Sequence, residues 1–430
     1  MVSSLRLWSV IIGLVALVPV GIRVATWRDP KPEPVDPAMA GAGQTLFIHE
    51  WTPKDPLANG GDGLGPVFNA RSCVACHNQP GPGGSGGLGH NVTTFVVKEK
   101  DGEPAREGVV HAFALNPKLQ ETLAQVDPRL PNDVRPSLSR VLPGSNHCLP
   151  FPQNVHLSQR NTPALYGANL IDAIPDRVII ANEKTQRMKH GLASPEQETM
   201  PVGRALRLPG GRVGKFGWKA QSPSLGEFVQ AACANELGLG NPDHPQPRPL
   251  GQSDYADCGM DLSLEQCNQL TAFVAALPRP VERLPVESAA RDQALAGKAV
   301  FNKIGCADCH TPHVGDVDGI YSDLLLHPMG EVLVGGGSYN EPPLNLPKFK
   351  PGEGPVASEW RTPPLWGVAD SAPYMHDGRA ATLEEAIKFH GGQAAAAAGR
   401  FAKLSKPEQR QLLGFLETLR APDVETVAHR

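Results

Sequence analysis

The sequence predicts a mostly α chain of two tandem domains of one kind, the first carrying a large loop and β-hairpin insertion. Three observations carry this. The motif Cys-x-x-Cys-His occurs twice, at Cys73–His77 and at Cys306–His310. A similar apolar helical segment precedes each copy, and another closes it. Between these markers the chain is rich in glycine (45) and proline (43), so much of it is loop.

Cys-x-x-Cys-His is the attachment motif of c-type haem. Each cysteine can add across one haem vinyl group, and the next histidine then reaches the iron as proximal ligand. A lone Cys-x-x-Cys could instead be a redox dithiol or half a zinc site. The dithiol wants a βαβ context that neither copy shows, and zinc wants a second pair nearby. The histidine directly after both pairs decides for two covalently bound haem c groups, on Cys73, Cys76 and His77 and on Cys306, Cys309 and His310. The two domains therefore read as cytochrome-c-like, with the haem filling much of each core.

Length suits two domains, the chain having 430 residues. A net charge of −4 gives no electrostatic case for nucleic acid. Residues 1–28 read as a signal peptide or an N-terminal membrane anchor. Arg6 precedes an uncharged run from Leu7 to Ile22, and Arg23 and Arg28 follow. That run is shorter than the ~20 apolar residues of a comfortable span, yet long enough for a signal. Val24-Ala25-Thr26 is a poor cleavage site, which favours the anchor. Either way the body is exported to the periplasm, where it is tethered to the inner membrane if the segment is uncleaved. Residues 29–40 are proline-rich and charged, a linker. Cys148, Cys233, Cys258 and Cys267 remain; an even number in an exported chain suggests two disulfides, with free buried thiols as the alternative.

An internal repeat sets the boundaries. Ala42-Gly43-Gln44-Thr45-Leu46-Phe47 resembles Ala296-Gly297-Lys298-Ala299-Val300-Phe301. Arg160-Asn161-Thr162-Pro163 resembles Arg361-Thr362-Pro363, with one residue of slack. Gln269-Leu270-x-x-Phe273-x-x-x-Leu277 matches Gln411-Leu412-x-x-Phe415-x-x-x-Leu419, an apolar helix face in both copies. Pro278 and Pro422 stop these helices. The domains span 41–280 and 284–425. Cys73 to Phe273 takes 200 residues and Cys306 to Phe415 takes 109, so the first copy carries roughly 90 more. Val92–Phe113 reads as a β-hairpin around an Asp101-Gly102 turn. Lys215–Trp218 and the loop 238–256 are the other added parts, and Ala394–Ala398 is a short helical run.

Tandem haem motifs with Arg-Thr-Pro markers resemble the bacterial di-haem cytochrome c peroxidases and the methylamine-utilisation di-haem enzyme, most strongly in RTPPLWGVADSAPYMHDGRAATLEEAI, Arg361 to Ile387. The chain is more similar to the di-haem oxidoreductase family, peroxidase-like and thiol-oxidoreductase-like proteins. That resemblance rests on Gly63–His77, Ser158–Asp176, GKFGWKAQ (Gly214–Gln221), DLLLHPMGE (Asp323–Glu331) and Arg361 to Gly392, and covers most of residues 42–420. It implies haem redox chemistry more firmly than any substrate.

The resemblance also frames the sixth ligands. Where peroxidase relatives carry a methionine and the methylamine enzyme a tyrosine, this chain has His390. His390 is thus the candidate distal ligand of the second iron, with Met329, Met375 and His327 as alternatives. For the first iron, His90, His147 and His156 lie where relatives keep a displaceable histidine, but none stands out, so this haem is expected to be open and reactive. His376 reads as a group beside the haem pocket, with Asp377 orienting it and Arg379 reaching a haem propionate. Asp172 stands nearest to the distal acid of relatives, with Asp176 behind it; helix capping is its ordinary alternative. Arg160 is a candidate for stabilising a propionate or bound oxygen. Trp218, Trp366 and Tyr166 are candidate electron stepping groups. The implied function is an exported di-haem, peroxidase-like enzyme. Electrons from a small redox protein such as a donor cytochrome enter at the C-terminal haem, and hydrogen peroxide or another small oxidant is reduced at the N-terminal haem. A pure electron-transfer cytochrome, or a haem enzyme acting on an organic or protein-bound substrate, is the alternative. Relatives bind calcium between the domains; the sequence shows no clear oxygen-ligand cluster for it.

Overall fold

The computed structural model describes residues 32, 34–98, 104–133, 152–191, 200–252, 254–256, 258–336 and 353–423. The segment 1–28, the Asp101-Gly102 turn, His147 and Cys148 lie outside these. The longer helices are α1 (Pro37–Ile48), α2 (Asp176–His190), α3 (Leu225–Leu237), α4 (Leu264–Ala276), α5 (Ser288–Lys303), α6 (Leu383–Lys388), α7 (Ala395–Ala402) and α8 (Lys406–Leu416). Among the described residues no helix is long and apolar enough to cross a membrane.

Local chemistry starts these helices where the sequence marks them. Asp36 accepts from the Ala38 amide, with Pro37 in the first turn of α1. Reciprocal capping boxes open α4 (Ser263 with Gln266) and α8 (Ser405 with Glu408). The apolar period carries the last helix to Leu419, but α8 ends at Leu416. Leu419–Arg420 instead pairs antiparallel with Val281–Glu282, the connection between the two halves. Tertiary pairing of the linker overrides the last helical turn.

The repeat has a steric meaning. α1 packs on α4, and α5 packs on α8. A Cβ on Gly43 would lie 1.8 Å from the Gln269 carbonyl oxygen, and a Cβ on Gly297 would lie 1.8 Å from that of Gln411. Only hydrogen fits at either crossing. Beside each crossing an aromatic pair closes the contact: Phe47 on Phe273 at 4.8 Å and Phe301 on Phe415 at 5.4 Å between ring centres. The matched residues of the sequence repeat are thus the residues that meet.

Val92–Phe113 folds largely as expected. β1 (Val92–Lys98) pairs antiparallel with β2 (Pro104–Val110) and, on its other edge, with β3 (Val155–Arg160). Phe95, Val110, Leu123, Val126, Val155 and Leu157 give this sheet its own small core. β3 ends on Arg160 and so delivers the first Arg-Asn-Thr-Pro marker to the centre of the molecule.

The halves interlock there. The Asn161 amide donates to the His376 carbonyl at 2.7 Å, and the Arg361 amide donates to the Trp218 carbonyl at 2.9 Å. α2 reaches across: Asn182 donates to the Asp323 carbonyl and Gln186 to the Asp308 carbonyl. One expectation fails. Cys233 and Cys267 are buried free thiols, so two disulfides among the four remaining cysteines do not form; both sulphurs lie in the apolar core that includes Leu270 and Phe273.

Candidate functional site

Each motif is held by a short turn. Ser72 caps Cys73–Cys76 by accepting from the Ala75 amide at 3.3 Å. Gly305, at φ 88°, takes the left-handed conformation that starts the tight turn Cys306–Asp308. The two histidines are then oriented alike. His77 Nδ1 lies 3.2 Å from the Gly84 carbonyl and His310 Nδ1 lies 2.9 Å from the Tyr321 carbonyl. A carbonyl only accepts, so Nδ1 carries the proton in both rings and Nε2 is left bare. Burial pushes both imidazoles down to about 4. A neutral ring with a fixed tautomer and a bare Nε2 is the metal-binding form of histidine.

His390 shares that arrangement. Its Nδ1 lies 2.7 Å from the Ala386 carbonyl, and burial holds its pKa below the ordinary value. Its ring centre is 6.4 Å from that of His310. Two metal–nitrogen bonds of about 2 Å and two half-rings of about 1.1 Å span nearly that distance. The ring beside His77 is instead that of Phe47, at 6.3 Å. His90 lies on the attachment side, Nδ1 3.7 Å from Cys76 Sγ. His156 is in β3 opposite Val96. Among the described residues no histidine ring lies beside His77 as that of His390 lies beside His310.

A cavity of about 500 Å³ adjoins the second motif and is lined from both halves, by Tyr166, Phe216 and Trp218 as well as by Cys306, His310 and His390. Arg361 also lines it. Its Nε donates to the Gly217 carbonyl at 2.9 Å, while its buried Nη1 has no partner. Burial lowers this guanidinium to about 10. A buried guanidinium with an unspent donor on a cavity wall calls for an acceptor, and a haem carboxylate would supply one. Two cysteines, two facing imidazoles and this cation together fit a haem at the second motif.

The other expected residues fall as follows. Asp172 caps: its Oδ1 accepts from the Leu225 amide at 3.0 Å, and its backbone carbonyl accepts from Lys215 Nζ. Asp176 accepts from the Val213 amide. Arg160 lies over the Trp360 ring at 4.6 Å and donates to Ser158 and to the Gln159 and Gly336 carbonyls. His376 does line the cavity. It stacks on Trp360 at 3.7 Å and stays neutral, because burial, then Arg160, Arg379 and Lys219, hold its pKa well below the ordinary value. Asp377 does not orient it: His376 Nε2 is 3.8 Å away, and the carboxylate is taken by Arg379 at 2.6 Å. Arg379 also donates from Nη1 to the Val332 carbonyl at 2.8 Å. His327 is not an available ligand, since both ring nitrogens are bonded at 2.8 Å, to Gln393 and Asp323. Met329, Met375, Trp218, Trp366 and Tyr166 all line the cavity. Sequence reasoning used Arg361 only as a repeat marker and passed over Asp323; the signal was a charge inside otherwise apolar, repeat-matched strings.

These features fit a haem-binding protein, with the candidate haem site beside the second motif. Residues 146–419 match the family described as "Di-haem oxidoreductase, putative peroxidase". The chain belongs to that family, whose cofactors are haems and whose enzymes are peroxidase-like oxidoreductases. The matched span includes the second motif and stops short of the first. Among curated proteins, the chain is 28% identical over 148 residues to hydrazine synthase subunit gamma of Kuenenia stuttgartiensis, covering 29% of this chain and 40% of the relative. It is 30% identical over 141 residues to methylamine utilization protein MauG of Methylorubrum extorquens, covering 31% and 36%. The match thus spans less than half of either relative. Among solved structures, a MauG-like protein associated with microbial copper homeostasis aligns over 91% of both chains at 17% identity and a TM-score of 0.40. The diheme peroxidase BthA of Burkholderia thailandensis aligns over 90% of this chain and 86% of its own at 15% identity and a TM-score of 0.40.

Proposed function

We propose that this is an exported c-type di-haem oxidoreductase that reduces hydrogen peroxide, built as two cytochrome-c-like domains at 41–280 and 284–425. In this reading Cys73 and Cys76, and Cys306 and Cys309, each bind a haem through two thioethers. His77 and His310 are the proximal ligands, and His390 closes the second iron. The bound haems supply the change of oxidation state and, at an open position, the place where peroxide binds. The protein supplies what decides which haem does which. His390 shuts the second site, leaving it to carry electrons. Arg361 neutralises a haem carboxylate there. No imidazole is supplied opposite His77 by the described residues, so the first site is the reactive one. A small redox protein delivers two electrons, and with two protons each peroxide yields two waters. Calcium is not part of this proposal, because the metal-competent cluster among the described residues is Cys309, Asp323 and His327 rather than an oxygen cage.

The observation that carries the reading is the 6.4 Å pairing of His310 with His390 and its lack of a counterpart at His77 among the described residues. Electron paramagnetic resonance of the ferric protein, with carbon monoxide titration of the reduced protein, tests it. One low-spin and one high-spin haem, with one carbon monoxide bound per chain, is expected. Two low-spin haems inert to carbon monoxide and peroxide overturn it and leave an electron-transfer cytochrome.

A further inference from the structure

A buried chain of hydrogen bonds runs beside the second motif. The Gly203 amide donates to Gln186 Oε1 at 2.8 Å, and Gln186 Nε2 donates to Asp323 Oδ2 at 2.6 Å. His327 Nε2 is 2.8 Å from the same carboxylate oxygen, and its Nδ1 is 2.8 Å from Gln393 Oε1. Gln393 Nε2 donates to the Val202 carbonyl at 3.1 Å. The ends fix every direction between them. The Gly203 amide can only donate, so Gln186 turns its oxygen there and its nitrogen to Asp323. The Val202 carbonyl can only accept, so Gln393 turns its nitrogen there and its oxygen to His327. Both ring nitrogens of His327 therefore donate, and the ring is an imidazolium paired with Asp323. The two side chains are 2% and 0% exposed.

Cys309 Sγ lies 3.7 Å from His327 Nδ1. Cysteine, aspartate and histidine this close resemble a metal site. They do not make one here: His327 has no lone pair to give, and the sulphur belongs to the haem in the proposed reading. What the trio touches points elsewhere. Gln393 sits in the turn Gly392–Ala394, three residues past His390. The loop between them is pressed onto the strand Leu326–Pro328 and the residue after it. A Cβ on Gly391 would lie 2.7 Å from the Met329 carbonyl oxygen, and one on Gly392 would lie 2.3 Å from that of Pro328. His327 thus reaches both Cys309 and, through Gln393, the loop after the candidate distal ligand. The first motif has the matching histidine contact, His90 Nδ1 to Cys76 Sγ at 3.7 Å, but no carboxylate partner for it among the described residues.

We propose that His327 is a positioning residue that clamps the His390 loop through Gln393 and so decides whether the second iron keeps its sixth ligand. The clamp is anchored in the first half of the chain, since Gln186 and Val202 hold its two ends. A disturbance of α2 or of residues 202–203 is thereby transmitted to the ligation of the second haem. The proposal rests on His390 being that ligand.

The test uses the full-length, haem-loaded protein, with haem content measured for each variant. Carbon monoxide bound per reduced chain and the ferric low-spin signal are the readouts. Gln393→Leu leaves the His327–Asp323 pair intact and so isolates the clamp; His327→Gln removes its centre. Both are expected to bind one more carbon monoxide per chain than the parent and to lose the low-spin signal of the second haem. His390→Ala separates the two layers. If it gains one carbon monoxide while Gln393→Leu and His327→Gln do not, the clamp is wrong and the ligand reading stands. If His390→Ala gains none, the ligand reading fails and the clamp falls with it. A lowered melting temperature with unchanged ligation marks a merely structural role and also overturns the proposal.

Discussion

Replacing Gly43 by alanine should destabilise the protein, whereas the same change two residues earlier should stabilise it. Both glycines lie in α1. A Cβ at Gly43 would meet the Gln269 carbonyl oxygen at 1.8 Å and the Phe273 Cβ at 2.9 Å, while a Cβ at Gly41 meets nothing within 4 Å. Ordinary contact needs about 3.4 Å, so α1 and α4 must separate by roughly 1.6 Å to admit the methyl, which is overpacking of a kind that costs about 1–3 kcal/mol. A backbone carbonyl cannot swing aside, so the upper end applies. Alanine returns about 1 kcal/mol of helix propensity at both sites. Gly43→Ala should therefore lose about 2 kcal/mol, and Gly41→Ala should gain up to about 1 kcal/mol. The second half offers an internal replicate: Gly297→Ala, 1.8 Å from the Gln411 carbonyl oxygen, against Gly414→Ala, with nothing within 4 Å. Urea unfolding followed by far-ultraviolet circular dichroism reads the midpoints. Equal midpoints for Gly43→Ala and Gly41→Ala would refute the claim that the repeat marks two close helix crossings.

The remaining predictions concern attachment, a cap and pH. Replacing both Cys73 and Cys76 by serine should cut covalent haem from two per chain to one, read by haem staining and haemochrome absorbance, with the second haem's low-spin signal unchanged. Asp172→Ala should cost about 1 kcal/mol by leaving the Leu225 amide at the start of α3 without its acceptor and leave peroxide turnover intact; a large loss of turnover at unchanged stability would return Asp172 to the distal pocket. His111 is fully buried, its Nδ1 2.8 Å from Glu121 and its Nε2 2.9 Å from the Asn235 carbonyl. Burial opposes its charge, but Glu121 outweighs this, and the pKa is raised. A raised histidine contributes stability fully present below its unfolded value of about 6.5 and lost as pH rises through the folded value. The urea midpoint should therefore fall as pH rises above about 6.5, and His111→Gln should flatten that slope.

Some of this was open to reading along the chain because it is local. The reading of Cys73–His77 and Cys306–His310 as haem motifs needs only five consecutive residues, so it can be made along the chain. The repeat declares the helix crossings for a similar reason: Gly43 and Gly297, with their aromatic partners, recur in register. The β1–β2 pairing is legible from apolar runs either side of a turn. Three dimensions decided the rest, since a buried polar group takes whichever partner the fold brings near. Asp172 reads as a distal-acid candidate in one dimension, and the fold sets its carboxylate on the Leu225 amide. Asp377 stands next to His376 in sequence, yet its carboxylate holds Arg379. Arg361 looks like a turn marker and is a buried cation with a donor unspent on the cavity. The sequence by itself determined that there are two haem-binding motifs on one repeated helical scaffold. The family resemblance already singled out His390 for the second site; only the tertiary structure brings its ring beside that of His310. A facing imidazole is a long-range contact, and nothing in the residues around Cys306 foretells that the His390 ring stands 6.4 Å from that of His310.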